Sequence, residues 1–190
     1  MFVLDEESLK NSRLTQLLLI LNVSCFIYFS AVDVQYLLFF AQINNKIIQE
    51  GQIWRLFTAM FLHADIFHLF SNMLALFFFG IVIENNFSKL EYLSIYLISG
   101  VIGNLFSLIL LPPLTISLGA SGAIFGLIGA SFILTIHHDR SLIFLAFLYI
   151  IYFLIMSLAP GINLWAHLFG LLGGVSLGHV FYKRKKFIEY

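Results

Sequence analysis

The sequence predicts an all-α membrane protein, built as a bundle of six transmembrane helices. Of its 190 residues, 61% are hydrophobic and only 11% are charged, whereas a typical soluble domain is about 45–50% apolar and about 25% charged. A soluble fold of this composition would lack the polar residues needed to cover its surface, so the lipid bilayer is the expected solvent. The formal net charge of +0 provides no broad basic face for nucleic acid.

Six apolar segments approach the length that a bilayer requires. A hydrocarbon core about 30 Å thick is crossed by roughly 20 helical residues. The segments are residues 14–32, 66–84, 91–111, 121–137, 142–158 and 163–182. Their separators are charged or rich in proline, glycine and asparagine, as in "PPLTIS" and "LAPGIN". We interpret residues 1–190 as a single transmembrane domain with one long connection, 33–65, after the first span.

The distribution of lysine and arginine predicts the orientation of the chain, because cytoplasmic segments carry an excess of these residues. If the first span starts in the cytoplasm, eight basic residues lie inside and only Lys46 and Arg55 lie outside. The eight are Lys10, Arg13, Lys89, Arg140, Lys183, Arg184, Lys185 and Lys186. Both termini are therefore predicted to be cytoplasmic.

Three polar residues share one predicted depth on the spans that run from outside to inside. Each lies 16 residues before a residue that marks the inner interface. The pairs are His68 and Glu84, Ser121 and His137, and His167 and Lys183. Each polar side chain is then expected about 24 Å above that interface. Polar residues at such depth usually face the protein interior or a wet cavity.

The stretch "LGASGAIFG" opens the fourth span with a serine between small residues. Small residues let helix backbones approach closely, and they recur every four residues after Ser121 and on the helix face of His167. They are Gly122, Gly126 and Ala130 on span four, and Gly170, Gly174 and Gly178 on span six. Packing of the two stripes would bring the serine within reach of the imidazole, which activates a nucleophile. Ser121 also lies in the first helical turn, whose unpaired N–H groups favour an oxyanion.

Less specific interpretations stay open at this point. A serine in a membrane helix often only packs against a neighbouring helix, and His167 could serve only to join helices. His68 and Asn72 are four residues apart, so they share a helix face, and both can donate hydrogen bonds. His63 lies five residues before His68. We expect it at the entrance of the site, or in a polar cluster that ties the first loop to the bundle.

Taken together, these residues resemble the rhomboid family of intramembrane serine proteases over nearly the whole chain. The matching pieces are Trp54-Arg55, His63 with His68 and Asn72, Gly119-Ala120-Ser121-Gly122, and Ala166-His167 followed by Gly170 and Gly174. A six-helix chain of this length is similar to the minimal prokaryotic form. The resemblance therefore implies a multi-pass protein of a prokaryotic cell (inner) membrane, with its active site toward the outer face.

The resemblance also implies roles for these residues. Ser121 and His167 would form a catalytic dyad, and the Ser121 N–H with the His68 and Asn72 side chains would bind the oxyanion. The supporting positions would be His63, Gly119, Gly122, Phe125, Gly170 and Gly174. Trp54 and Arg55 would anchor a first loop that lies partly in the outer leaflet, while span five and "LAPGIN" would act as gate and cap. Because hydrolysis needs water, the site is expected to line a wet cavity.

The substrates implied by the resemblance are transmembrane segments of other proteins, with single-span proteins as the expected class. No cofactor and no metal is implied. Two departures from the family pattern stand out. Phe125 can stack on the catalytic histidine but cannot hydrogen-bond, and Asn85-Asn86 follows Glu84 where a basic residue is frequent.

Other classes of membrane protein fit the sequence less well. Transporters often contain inverted repeats and helices broken at the midplane, but no similarity between two halves is visible. A zinc protease would carry an H-E-x-x-H pair, which the chain lacks, and an aspartyl protease would need two aspartates embedded in spans. The remaining alternative is an inactive rhomboid-like protein that binds membrane proteins or serves in their quality control. Such relatives typically lack the serine or the histidine, and this chain has both.

Overall fold

A computed structural model of the chain describes residues 5–188, with side chains described as far as residue 185. Lys186, one of the basic residues counted above, therefore has its side chain outside the described part. The helices are α1 (Glu6–Asn11), α2 (Arg13–Ala31), α3 (Val34–Phe40), α4 (Asn44–Glu50), α5 (Arg55–Thr58), α6 (Ile66–Asn86), α7 (Lys89–Leu110), α8 (Ser121–His138), α9 (Ile143–Met156) and α10 (Leu164–Ile188). This confirms the predicted all-α membrane bundle.

Within the described residues, five helices are long and apolar enough to cross a membrane. They are α2, α6, α7, α8 and α10. The predicted fifth span, 142–158, forms the 14-residue helix α9, preceded by a 3-10 turn at Arg140–Leu142. A helix of that length extends about 21 Å, which is shorter than the hydrocarbon core of a typical bilayer. The cytoplasmic placement of both termini stays a prediction.

Polar side chains satisfy first-turn amides of α6 and α2. Asp65 caps α6 by accepting a hydrogen bond of 2.8 Å from the His68 N–H. The buried carboxylate of Glu84, near the end of α6, accepts from the Leu14 and Thr15 amides at 2.9 and 2.7 Å. These amides belong to the first turn of α2, where a negative charge is stabilised by the helix dipole. Glu84 therefore joins the first two spans.

Asn85 fills the position where the resemblance leads one to expect a basic residue. Its side-chain amide donates to the Ser8 carbonyl at 3.1 Å and to the Ser12 hydroxyl at 2.8 Å. The neutral amide thus ties α6 to the short helix α1 without an ion pair.

The connection between the first two spans is an ordered segment that contains α3, α4 and α5. Arg55 is buried, and its guanidinium donates to the Leu38 and Ala41 carbonyls, both at 2.6 Å. Trp54 is 42% exposed and lies against Phe39, with ring centroids 6.0 Å apart. Arg55 therefore holds the loop together from within, whereas Trp54 faces outward.

A two-stranded antiparallel ladder attaches this loop to the segment that leads into α8. Strand β1 (Gln42–Ile43) pairs with β2 (Ile116–Ser117), with Gln42 opposite Ser117. The Gly119 N–H also donates to the Ala59 carbonyl at 2.9 Å. The loop thereby fixes the backbone just before Ser121.

Helix α8 lies at the centre of the bundle. Of its most apolar window, 67% is buried, against 17–39% for the other four long helices. The two predicted stripes of small residues face each other between α8 and α10. A methyl group placed on Gly170 would lie 2.1 Å from the Gly122 carbonyl oxygen, and one on Gly174 would lie 1.8 Å from the Gly126 oxygen. The two helices therefore touch backbone to backbone.

Candidate active site

The close contact of α8 and α10 brings Ser121 and His167 together. Ser121 is the first residue of α8, and His167 lies in the first turn of α10. The Ser121 Oγ and the His167 Nε2 are 2.7 Å apart, which is hydrogen-bond distance. His167 is 7% exposed, while Ser121 is partly exposed. The serine hydroxyl therefore lies on the accessible side of a buried imidazole.

Gly119 shapes the turn that presents Ser121. Its φ is +135°, a region that residues with a side chain rarely adopt. A methyl group at this position would lie 2.8 Å from the His68 Nε2 and 3.7 Å from the Ser121 Oγ. The absence of a side chain at Gly119 therefore leaves room for the His68 ring next to the backbone that leads into Ser121.

His68 and Asn72 lie one turn apart on α6, on the side of the bundle that faces Gly119. The Asn72 Nδ2 donates to the His68 carbonyl at 2.8 Å, and Asn72 is 5% exposed. An amide nitrogen carries two hydrogens, so this contact uses one of its two donors. The His68 ring next to Gly119 and the first-turn amides of α8 provide further donors near the serine.

His63 is packed behind His68, and the expectation that it lies at an open entrance is wrong. The His63 side chain is 2% exposed, and its ring centroid lies 5.1 Å from that of His68. Neither of its ring nitrogens has a hydrogen-bond partner among the described residues. Burial, reinforced by repulsion from His68, lowers the pKa of His63 to about 3, so its ring is neutral at neutral pH.

Phe125 lies one turn after Ser121 and covers a face of the His167 ring. The two ring centroids are 4.3 Å apart with an interplanar angle of 11°. On its other side Phe125 meets Phe153 of α9 edge-on, at 6.2 Å. Stacking restrains the tilt of the imidazole without supplying a hydrogen bond.

Two polar residues around His167 were missed by the sequence analysis. The Ser157 Oγ lies 2.7 Å from the His167 Nδ1, and Ser157 is buried. Asn163 caps α10 by accepting from the Ala166 N–H at 3.1 Å, and it donates to the Ser107 and Ser117 hydroxyls at 2.8 and 3.0 Å. The available signal was two polar residues that flank "LAPGI" just before the histidine.

The described residues contain no group of three or more histidine, cysteine, aspartate or glutamate side chains that could hold a metal ion. The "HHD" stretch at the end of α8 lies at the opposite end of that helix from Ser121. His137 is stacked there on Tyr182 of α10, with ring centroids 4.1 Å apart.

Comparison with known proteins gives a consistent family match. Residues 50–184 match the family model described as the Rhomboid domain. RHOMBOID-like protein 6, mitochondrial, from Arabidopsis thaliana is 43% identical over 142 residues, which cover 72% of this chain and 46% of that protein. Rhomboid-like protease 1 from Toxoplasma gondii is 36% identical over 146 residues, covering 72% of this chain and 50% of that protein.

A bacterial relative has a length closer to that of this chain. The rhomboid protein YdcA from Bacillus subtilis (strain 168) is 34% identical over 151 residues, which cover 75% of this chain and 74% of that protein. By contrast, the chain spans about half the length, or less, of the Arabidopsis and Toxoplasma relatives.

Proposed function

Because the chain belongs to the rhomboid family, we propose that it is an intramembrane serine endopeptidase with a Ser121–His167 dyad. It would hydrolyse peptide bonds in or near the transmembrane segments of other membrane proteins. The observation that carries the proposal is the 2.7 Å contact between the Ser121 Oγ and the His167 Nε2. A nucleophile within hydrogen-bond reach of a base is the arrangement that covalent catalysis by serine requires.

In the first half of the reaction, the Ser121 Oγ attacks the scissile carbonyl carbon while the His167 Nε2 takes the hydroxyl proton. His167 then returns that proton to the leaving amine as the C–N bond breaks. In the second half, His167 removes a proton from a water molecule as its oxygen attacks the acyl-enzyme ester, and then gives that proton to the Ser121 Oγ as the ester C–O bond breaks and the carboxylic acid product leaves. The partial exposure of Ser121 supports access of water to this atom.

The negative charge that develops on the carbonyl oxygen needs several donors. The Ser121 N–H lies in the first turn of α8, where amides lack intrahelical acceptors and the helix dipole favours an anion. The His68 ring and the Asn72 amide lie on the facing helix α6 and complete the proposed oxyanion hole. Removing one such donor typically lowers kcat about 10²–10³-fold, and this is the effect expected for Asn72→Ala.

The substrates we propose are single-span membrane proteins, whose peptide bonds would enter sideways from the bilayer. We place the protein in a prokaryotic cell (inner) membrane with the site toward the outer face, and the bacterial relative of similar length supports that placement. The mitochondrial relative makes an organelle membrane the alternative. Reporter fusions at both termini, read in a bacterial host, test the orientation.

Labelling with a fluorophosphonate probe tests the proposal without knowledge of the natural substrate. We expect the purified protein to be labelled, and Ser121→Ala and His167→Ala to lose both labelling and cleavage of a single-span test substrate. Ser131→Ala is the matched control, because Ser131 lies on the same helix and its hydroxyl donates to the Ile128 carbonyl at 2.7 Å. Cleavage retained in both dyad variants would exclude the mechanism. Binding of membrane proteins without any labelling of the wild type would favour the inactive rhomboid-like alternative.

A further inference from the structure

The buried hydroxyl of Ser157 lies against the ring nitrogen of His167 that faces away from Ser121. Ser157 follows the last residue of α9 and is 3% exposed. Its Oγ is 2.7 Å from the His167 Nδ1, while the His167 Nε2 is 2.7 Å from the Ser121 Oγ. The imidazole is therefore held between two serine hydroxyls, one from the end of α9 and one from the start of α8.

The hydrogen of the Ser157 hydroxyl already has an acceptor. The Ser157 Oγ donates to the Phe153 carbonyl at 2.7 Å, one helical turn earlier. A hydroxyl carries a single hydrogen and two lone pairs. Toward His167 the Ser157 Oγ must then accept, so the Nδ1 carries the proton and donates it. This leaves a lone pair on the Nε2, which accepts the hydrogen of Ser121.

The opposite tautomer would leave a group without a partner. If the Nε2 carried the proton and pointed at the Ser121 Oγ, the hydrogen of Ser121 would need another acceptor. The Nδ1 would also turn its lone pair toward a lone pair of the Ser157 Oγ 2.7 Å away, because the hydrogen of Ser157 is already used by the Phe153 carbonyl. The tautomer with the proton on Nδ1 satisfies both serine hydrogens and the imidazole N–H, and it is the one that can act as a base toward Ser121.

We propose that Ser157 is a positioning residue that holds His167 in the Nδ1-protonated tautomer, so that the site works as a chain of Ser121, His167 and Ser157. This inference rests on the proposed protease function. During attack, the proton of Ser121 moves to the Nε2 and later to the leaving amine, while the Nδ1 keeps its own proton. The Ser157 Oγ accepts from the Nδ1 throughout and stabilises the imidazolium without taking a proton.

The position of Ser157 makes the reactive tautomer of His167 depend on where the end of α9 lies. Every residue of α9 except Ile150 is at least partly exposed, yet Ser157 just beyond its end is buried. The end of α9 must therefore stay seated against His167 while the site is active. Outward movement at this end would release the Nδ1 and allow the unreactive tautomer.

Substitution of Ser157 tests the inference through kinetics. In Ser157→Ala we expect kcat for a single-span test substrate to fall about 10- to 100-fold with KM unchanged, because hydrogen-bond partners that orient a functional histidine have effects of about this size. Ser157→Thr keeps the hydroxyl and should recover most of the rate. Ser176→Ala is the matched control, because Ser176 on α10 also donates to the carbonyl four residues earlier, at 2.8 Å. Unchanged kcat in Ser157→Ala would overturn the inference.

The tautomer of His167 can be measured independently of activity by ¹⁵N NMR, with its signals assigned by their loss in His167→Asn. We expect the wild type to carry the proton on Nδ1 and Ser157→Ala to show a mixture of both tautomers. Protonation of the wild type on Nε2, or no change in Ser157→Ala, would overturn the role of Ser157. If the wild type neither cleaves nor is labelled, the protease proposal fails, while the NMR result still decides what Ser157 does.

Discussion

Helix α8 is packed closely by α10 and loosely by α9, two of the helices that surround it. Against α10 it makes backbone contacts, since a methyl group on Gly174 would lie 1.8 Å from the Gly126 oxygen. Against α9 it is separated in part by an apolar cavity of about 290 Å³, which Phe79, Phe132 and Tyr149 help to line. The α8–α10 contact therefore determines where Ser121 and His167 lie, whereas α9 contributes Phe153 and Ser157 at one end of a loosely packed helix.

The close contact of α8 and α10 suits the chemistry proposed for the site. A serine and a histidine must stay within hydrogen-bond distance through two reaction steps, and glycine stripes hold helices at that separation. The groove between α6, α8 and α9 is lined by Ile128, Phe132 and Thr135 of α8, about two to four turns beyond Ser121. It therefore reflects looser packing of α9 in the half of the bundle away from Ser121.

Gly174→Ala should break the tight contact and have the largest effect. The added methyl would lie within 2.5 Å of the carbonyl oxygen, the carbonyl carbon and the Cα of Gly126. Helices α8 and α10 would therefore have to separate. We expect cleavage to fall more than about 10²-fold, because catalysis is sensitive to displacements of about 1 Å, and the unfolding midpoint to fall as well. Cleavage of a test substrate and thermal unfolding in detergent measure the two effects.

Gly173→Ala is the control for this change, because it makes the same substitution one residue earlier. Its methyl would lie 3.2 Å or more from its neighbours, chiefly side-chain atoms of Ser99 and Ile102. It should be tolerated with at most a small loss, and alanine is favoured over glycine in a helix by about 1 kcal/mol. Equal effects of the two substitutions would contradict the account of the α8–α10 contact.

Acid should destabilise the protein through His63, which is buried against His68 of α6. The unfolded-state pKa of a histidine is about 6.5, and burial lowers the folded pKa of His63 to about 3. Below pH 6.5 the unfolded state therefore binds a proton that the folded state excludes, and stability falls as the pH falls from 6.5 toward 3. Between pH 6.5 and 5 this amounts to about 2 kcal/mol.

The His63 effect is measured as a difference between two pH profiles. Carboxylates titrate in both proteins, so the unfolding midpoint of the wild type should be compared with that of His63→Phe over pH 5–7.5. The wild type should lose stability more steeply on the acid side. Parallel profiles would show that His63 is protonated as readily in the folded protein as in the unfolded one.

Phe125→Leu tests the place where the α9 and α10 contacts of α8 meet, because Phe125 touches both Phe153 of α9 and His167 of α10. The Phe125 ring lies 4.3 Å from the imidazole, and its loss should lower kcat about tenfold. This corresponds to about 1.4 kcal/mol, which is at the upper end of the stabilisation that an aromatic pair provides. Phe125→Tyr keeps the ring and should retain most of the rate. If kcat fell equally in both variants, stacking on His167 would not explain the effect, and the fit of the side chain at position 125 would.

Leu148→Ala should have the smallest effect. Leu148 lies in the middle of α9 and is 45% exposed, so we expect a change in the unfolding free energy within about 0.5 kcal/mol.

Hydrogen exchange should also be faster in α9 than in α8, because exchange follows local packing. Slow exchange throughout α9, or strong destabilisation by Leu148→Ala, would contradict the view that α9 packs more loosely against α8 than α10 does.

The spans could be predicted from the sequence because their signal is local. The start of α8 at Ser121 coincides with the predicted start, and the predicted segment 66–84 corresponds to α6 (Ile66–Asn86). The predicted span 163–182 falls almost entirely within α10, which continues to Ile188 because basic residues beyond the bilayer can still extend a helix. The short helices α3 to α5 were not predicted, since the connection has no single periodicity.

The candidate site was predictable only where polar residues interrupt apolar spans. Ser121, His167, His68 and Asn72 stand out for that reason, and the structure brings the first two into contact. Ser157 was missed because a serine at the end of an apolar helix is as consistent with a bond to its own helix as with a contact to a ring. The burial of His63 was missed because its neighbours come from elements distant in sequence.

The amino-acid sequence by itself determined that this chain belongs in a bilayer, where its helices run and which faces carry small or polar residues, because these properties depend on composition and helical periodicity. Only the tertiary structure decided which polar atoms meet. The close approach of Gly174 to the Gly126 carbonyl and the two hydroxyls on either side of His167 depend on how whole helices approach one another. That approach is set by packing summed over many residues, and no short stretch of sequence contains it.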